Sequence, residues 1–110
     1  MNAKVEIDAG ICGFHTKASA MSEDSQNVVF EVESDCEKIL KLADALKEKG
    51  PIDAYQEIGT ASPSVVLETT RSVLKGCCAA CAVPVGIFKA MQVAAGLALP
   101  KEIVIRLEKE

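Results

Sequence analysis

Gly76-Cys77-Cys78-Ala79-Ala80-Cys81-Ala82-Val83-Pro84-Val85-Gly86-Ile87-Phe88-Lys89-Ala90-Met91-Gln92-Val93-Ala94-Ala95-Gly96 holds three of the five cysteines and the most apolar helical stretch of the chain. Pro84 suits the first helical position, where its missing N–H removes no intrahelical bond. Gly96 suits the position just past the helix end, where the backbone turns left-handed. Between them only Lys89 and Gln92 are strongly polar. A helix apolar on nearly every side is a buried helix. The cysteine turn in front of it is thereby fixed to the core, with its thiols near a helix N-terminus. A core helix of this kind has to lie on another layer, and the flanking sequence supplies a sheet.

Residues 3–11 alternate, with Val5, Ile7, Ala9 and Ile11 on one side and Lys4, Glu6, Asp8 and Gly10 on the other. This is the pattern of a half-buried strand. Cys12-Gly13-Phe14-His15 turns the chain at Gly13, and residues 16–21 and 28–32 read as two further strands of an antiparallel meander. Ser34-Asp35-Cys36-Glu37 has the form of a capping box, followed by Ile39, Leu40, Leu42, Ala43 and Leu46 at helical spacing and a stop at Gly50-Pro51. Residues 52–58 suit a short helix ending at Gly59. Ser62-Pro63 suits the cap of another helix, with Val65, Val66, Thr69, Val73 and Leu74 as its apolar stripe. After the cysteine turn and its helix, Ile103, Ile105 and Leu107 alternate with Val104, Arg106 and Glu108, which predicts a last strand able to pair beside the first.

Three strands, three or four helices and a final strand make one α+β domain over residues 1–110. It has two layers, an antiparallel sheet of about four strands with helices packed on one face. The expected core is Val5, Ile7, Phe30, Val32, Ile103 and Ile105 from the sheet, with Leu40, Leu46, Ile87, Phe88 and Met91 from the helices.

The chain has 110 residues, 49% of them apolar, and a formal charge of −4 with acids and bases intermixed. The absence of a basic face argues against nucleic acid as a partner. The N-terminus has no apolar core segment of a signal peptide, and no run is read as a membrane span. These features predict a cytoplasmic protein without membrane or nucleic-acid partners. In a reducing compartment, five cysteines suggest metal or redox chemistry before a disulfide framework.

Cys78 and Cys81 form a Cys-x-x-Cys pair, a spacing that lets two thiolates converge on one ion or cluster. Cys12 ends a strand at a glycine turn, and Cys36 lies at the start of a capped helix. Ends of elements in a two-layer fold can collect along one rim, where helix N-termini favour thiolates. Cys12, Cys36, Cys78 and Cys81 are therefore the candidate ligands of a zinc ion or an iron–sulfur cluster, in a non-enzymatic carrier, sensor or adaptor. The expected partners are the metal ion or cluster and an unidentified protein, with a homodimer open. Two alternatives stand beside this. One is a thiol/disulfide redox protein using Cys78 and Cys81, although no thioredoxin-like parallel context surrounds the pair. The other is a partner-binding module whose cysteines only pack, since cysteine is also a small apolar core residue. Cys77 is expected to point away from the site.

No residue carries a catalytic assignment. His15, the only histidine, could serve as a ligand or as a donor behind one, but a lone turn histidine is more often solvated. Asp53 and Glu57 would share a helix face, and with no base or nucleophile beside them they read as a solvated pair. There is no Gly-rich phosphate loop and no Ser/His/Asp set, and a single histidine does not suit most hydrolytic metal sites.

Ala9-Gly10-Ile11-Cys12-Gly13-Phe14, Glu33-Ser34-Asp35-Cys36, Cys81-Ala82-Val83-Pro84 and Val93-Ala94-Ala95-Gly96-Leu97-Ala98-Leu99-Pro100 resemble a family of small cysteine-containing proteins of anaerobic bacteria and archaea, a domain of unknown function. The resemblance covers nearly the whole chain. It implies that histidine can stand at the position of Cys78 and proline at that of Ala82. A Cys/His exchange is what a metal ligand tolerates, so the resemblance favours Cys78 over Cys77 as the ligand. A more distant similarity, to the small C-terminal cysteine domain of some ribonucleotide reductases, implies metal binding rather than catalysis.

Overall fold

A computed structural model describes residues 1–110. Strands β1 (Asn2–Asp8), β2 (His15–Met21) and β3 (Asn27–Ser34) form an antiparallel meander. Helix α1 (Glu37–Glu48) follows, then a two-residue strand β4 (Ile52–Asp53) and helices α2 (Ala54–Ile58), α3 (Val65–Val73) and α4 (Val83–Ala94). The sheet order is β1-β2-β3-β4, antiparallel throughout. The architecture is the expected α+β fold, a four-stranded antiparallel sheet with helices packed against it.

Strand alternation explains the layering. Ala3 and Ile7 of β1, Thr16, Ala18 and Ala20 of β2 and Val28 of β3 are buried, while Lys4, Glu6, Lys17, Glu31 and Glu33 between them are exposed. Helix α4 covers β1 and β2, α1 covers β3, and α3 packs behind, against α1 and α4. Helix α4 buries Val83, Ile87, Ala90, Met91 and Ala94 at helical spacing. Its end is a Schellman turn: Gly96, at φ +74°, donates to the Val93 carbonyl, and the Leu97 N–H donates to that of Gln92. Gly76–Ala94 is long and apolar enough to cross a membrane by length and composition alone. Here it divides into a 3₁₀ turn (Gly76–Cys78), an irregular link and α4, whose 12 residues pack on the sheet of a compact globule.

Several expectations are corrected. The fourth strand is Ile52–Asp53, paired with Val28 and Asn27, and residues 101–110 form no strand. Ile103 and Ile105 are 47% and 69% exposed, so they leave the core. Their alternation is strand-like, but a strand exists only through pairing, and this segment has no paired neighbour. Leu40 also leaves the core, being 40% exposed on the outer side of α1, where Ile39 and Leu42 point inward. Val5, Phe30, Val32 and Phe88 are half-buried at its margin, and Ile7, Leu46, Ile87 and Met91 are fully within it. Strand β1 stops at Asp8, which leaves Ile11 exposed at a hairpin tip.

The helix caps also move. Ser34 accepts the N–H of Cys36 at 3.1 Å, two residues on, and Cys36 itself holds the cap position of α1 without a side-chain cap bond. Ser34 is held as the last residue of β3, its Oγ hydrogen-bonded to Thr16 Oγ1 at 2.8 Å, so it cannot begin the helix. Helix α3 is capped by Ser64, which accepts from the Leu67 N–H at 3.0 Å, rather than by Ser62. Asp53 and Glu57 do not form a solvated face. Asp53 caps α2 by accepting from the N–H groups of Tyr55 and Gln56, and Glu57 is buried against the start of α3.

Candidate metal or thiol site

The five cysteines line one continuous groove, walled by β1, the hairpin after it, the first turn of α1, the cysteine turn and the outer side of α4. Each arrives there by a different local device. Cys12 occupies the β1–β2 hairpin, in a turn closed by the Gly13 N–H on the Gly10 carbonyl at 2.9 Å. Gly10 and Gly13 have φ of +88° and +75°, a region that side-chain-bearing residues rarely adopt. The Gly10 N–H donates to Asp8 Oδ1 at 3.1 Å and anchors the turn to the strand end. Cys36 is delivered by the Thr16–Ser34 pair at the exit of β3. Cys78 ends the 3₁₀ turn, and its carbonyl accepts from the Cys81 N–H at 3.1 Å, which folds the Cys-x-x-Cys segment tightly before α4.

Cys36, Cys78 and Cys81 are half-buried against the core, and Cys12 and Cys77 are exposed. The Cys81 thiol is pushed up, first by burial, while the Val83 backbone N–H at the start of α4 pulls the other way. Cys12, Cys36 and Cys78 each raise it further, because a second negative charge nearby disfavours ionisation. The structure thus brings Cys12, Cys36 and Cys78 within electrostatic reach of Cys81. It does not draw them closer than that: no three Cys, His, Asp or Glu side chains form a group that could hold an ion as they stand. All five cysteines are free thiols. Cys77 borders the groove from the exposed side. His15 is exposed at the start of β2 and is not among the groove residues.

Lys38 was not a candidate from sequence. Its Nζ donates to Cys78 Sγ at 3.5 Å, which sets a positive charge beside the Cys-x-x-Cys pair. The two residues are forty apart in the chain, and a lysine in the first turn of a helix gives no sign of such a contact. Glu57, which the sequence assigns to a solvated pair with Asp53, has a structural role: its carboxylate accepts from Ser64 Oγ and the N–H groups of Val65 and Val66 at 2.7–2.8 Å. The distance in sequence between Glu57 and the donors it serves conceals this bond.

No curated protein and no solved structure matches the chain. Residues 3–107 match a family of unknown function, DUF6951. That match spans the sheet, all four helices, every cysteine and most of the C-terminal segment, and the chain belongs to this family of unknown function.

Proposed function

We propose that the protein binds zinc or an iron–sulfur cluster through Cys12, Cys36, Cys78 and Cys81, as a carrier, sensor or adaptor without catalysis of its own. The observation that carries this reading is that these four thiols, from three separate segments, line one groove, with the other three bearing on the ionisation of Cys81. Four thiols are a sufficient donor set for either group, and soft thiolates favour both over magnesium or calcium. Loading requires the thiols to close together. Four thiolates around Zn²⁺ would carry a net charge of −2, and Lys38 beside Cys78 offsets part of it. The resemblance to proteins of anaerobes is consistent with an oxygen-sensitive cluster.

The Lys38–Cys78 contact favours a second reading, in which Cys78 attacks a disulfide and Cys81 resolves the mixed disulfide. The two readings separate on anaerobic purification followed by metal analysis and a visible spectrum. Metal binding predicts bound zinc or cluster absorption, lost in Cys36→Ser, Cys78→Ser and Cys81→Ser and kept in Cys77→Ser. A colourless protein that takes up neither zinc nor iron and sulfide, yet cycles a Cys78–Cys81 disulfide, would replace the first reading with the second.

A further inference from the structure

Strand β1 is an open edge of the sheet, paired with β2 on one side only. Half of its backbone N–H and C=O groups therefore face outward, the arrangement that most readily accepts another strand. The segment after Pro100 borders the same groove, but residues 101–110 make no backbone hydrogen bond and no ion pair. Ile103, Val104, Ile105 and Leu107 are 47%, 59%, 69% and 93% exposed. An unpaired edge and an unpaired strand-patterned segment thus occur in one molecule.

We propose that β1 receives residues 102–108 of a second copy of this chain as an antiparallel fifth strand, the exchange being reciprocal across a two-fold axis. One register suits the two faces best, with Val104 alone apolar on the solvent side, opposite Asp8. With Ile7 opposite Ile105, Val5 faces Leu107 and Ala9 faces Ile103 on the side of the core. On the solvent side, Lys4 then faces Glu108 and Glu6 faces Arg106. Sliding by two residues sets Lys4 against Arg106 and Asp8 against Glu102, like charges that oppose pairing. Sliding by one turns the apolar set away from the core.

The chain's own tail cannot provide this antiparallel strand. Cys81 shares the groove with Cys12, beyond the end of β1, and Gly86 lies over Ile7 and Val5, so α4 runs antiparallel to β1. Helix α4 is about 18 Å long, and the four residues Leu97–Pro100 reach at most about 14 Å. The tail therefore starts at the Asn2 end and could only run parallel to its own β1. Parallel pairing is the slightly weaker ladder per residue, and only a second copy can supply the antiparallel one.

Light scattering on the eluting full-length chain, with sedimentation equilibrium, tests the exchange. The protein should be a dimer at micromolar concentration, and Ile105→Asp or Leu107→Asp should give a monomer that keeps the helical signal in the far-UV. Glu108→Lys should weaken the dimer by about fivefold through its two symmetry-related pairs, and adding Lys4→Glu should restore it. In a mixture of ¹³C- and ¹⁵N-labelled chains, filtered NOEs should connect the tail of one copy to β1 of the other. A monomer at every concentration, a dimer indifferent to Ile105→Asp, or tail–β1 NOEs confined to one chain would each overturn the proposal.

Discussion

A Cβ built on Gly86 would lie 2.6 Å from Ile7 Cδ1 and 2.8 Å from Ile7 Cγ1, with Val5 Cγ2 at 3.2 Å. The absent side chain at Gly86 lets α4 settle onto β1, and this approach carries the cysteine turn to the end of β1, beside the hairpin that bears Cys12. Gly86→Ala should gain up to about 1 kcal/mol of helix propensity and lose about 1–3 kcal/mol to overpacking. The expected net is a loss of about 1 kcal/mol. Ile7→Val removes the Cδ1 methyl, so the double variant should be more stable than the sum of the two single changes. Denaturant midpoints of the four proteins check this, and strict additivity would show that the contact does not limit the packing.

Met91 and Phe88 lie on the same helix but differ in depth. Met91 is fully buried, while Phe88 is half-buried at the core margin. Met91→Ala should cost about 2–5 kcal/mol. Phe88→Ala should fall below the ~3–5 kcal/mol of a fully buried phenylalanine. Chemical unfolding of the two variants orders them, and a larger loss at Phe88 would contradict this placement.

Glu57 joins α2 to α3 through three donors. Glu57→Ala leaves the Val65 and Val66 N–H groups without their carboxylate, and the latter bond is buried. The cost should be about 2–3 kcal/mol, in the range of bonds to charged groups. Ser64→Ala, which removes the cap bond to Leu67 and one of the three donors to Glu57, should cost about 1–2 kcal/mol. Amide exchange should localise the extra opening in both variants to the first turn of α3.

These pairs show what the sequence reveals and what it hides. Lys4, Glu6 and Lys17 alternate with buried residues because each strand has one wet and one dry face, so β1–β3 are legible from period alone. Helix α4 is legible because it lacks polar positions and ends at Gly96. Ile103, Ile105 and Leu107 carry the same alternation and form no strand, since period records which faces differ but not whether a neighbour is present. Strand β4 fails the other way, with two residues too few to show a period. The roles of Ser34 and Glu57 are hidden from sequence for a related reason: each bonds a partner set by folding, Thr16 in one case and the start of α3 in the other. For the cysteines, sequence indicates that Cys12, Cys36, Cys78 and Cys81 sit at element ends. The order of the elements around the sheet decides which ends meet, and Lys38 enters only there.

Asp24 gives an acid limb to the stability curve. In the β2–β3 loop it accepts from the Gln26 and Asn27 N–H groups, Asn27 Nδ2 and Ser22 Oγ. The Asn27 side-chain bond is the main cause that holds its carboxyl well below the ordinary 3.8. Asp53 is lowered too, chiefly by Gln26 Nε2. A carboxyl depressed on folding contributes its full stabilisation above its unfolded pKa and loses it as pH falls through the folded value. Stability should therefore be level near neutrality and decline below about pH 4. Asp24→Asn should flatten that decline, as read from unfolding midpoints across the acid range. An unchanged slope would mean that the loop bonds do not persist in solution.

Thiol accessibility should divide the cysteines by depth. Cys12 and Cys77 are exposed, and Cys36, Cys78 and Cys81 are half-buried. In reduced, metal-free protein, an alkylating reagent in short pulses should modify Cys12 and Cys77 first, because attack needs access to the sulfur as well as its thiolate. Mass spectrometry of the digested protein gives the order. Zinc, or iron with sulfide, should then protect Cys12 along with Cys36, Cys78 and Cys81 and leave Cys77 reactive. The contrast between Cys12 and Cys77 is the informative one, since both start exposed and only the proposed ligand should become shielded. Equal protection of the two would point to a general closing of the groove, and continued reactivity of Cys12 would remove it from the ligand set.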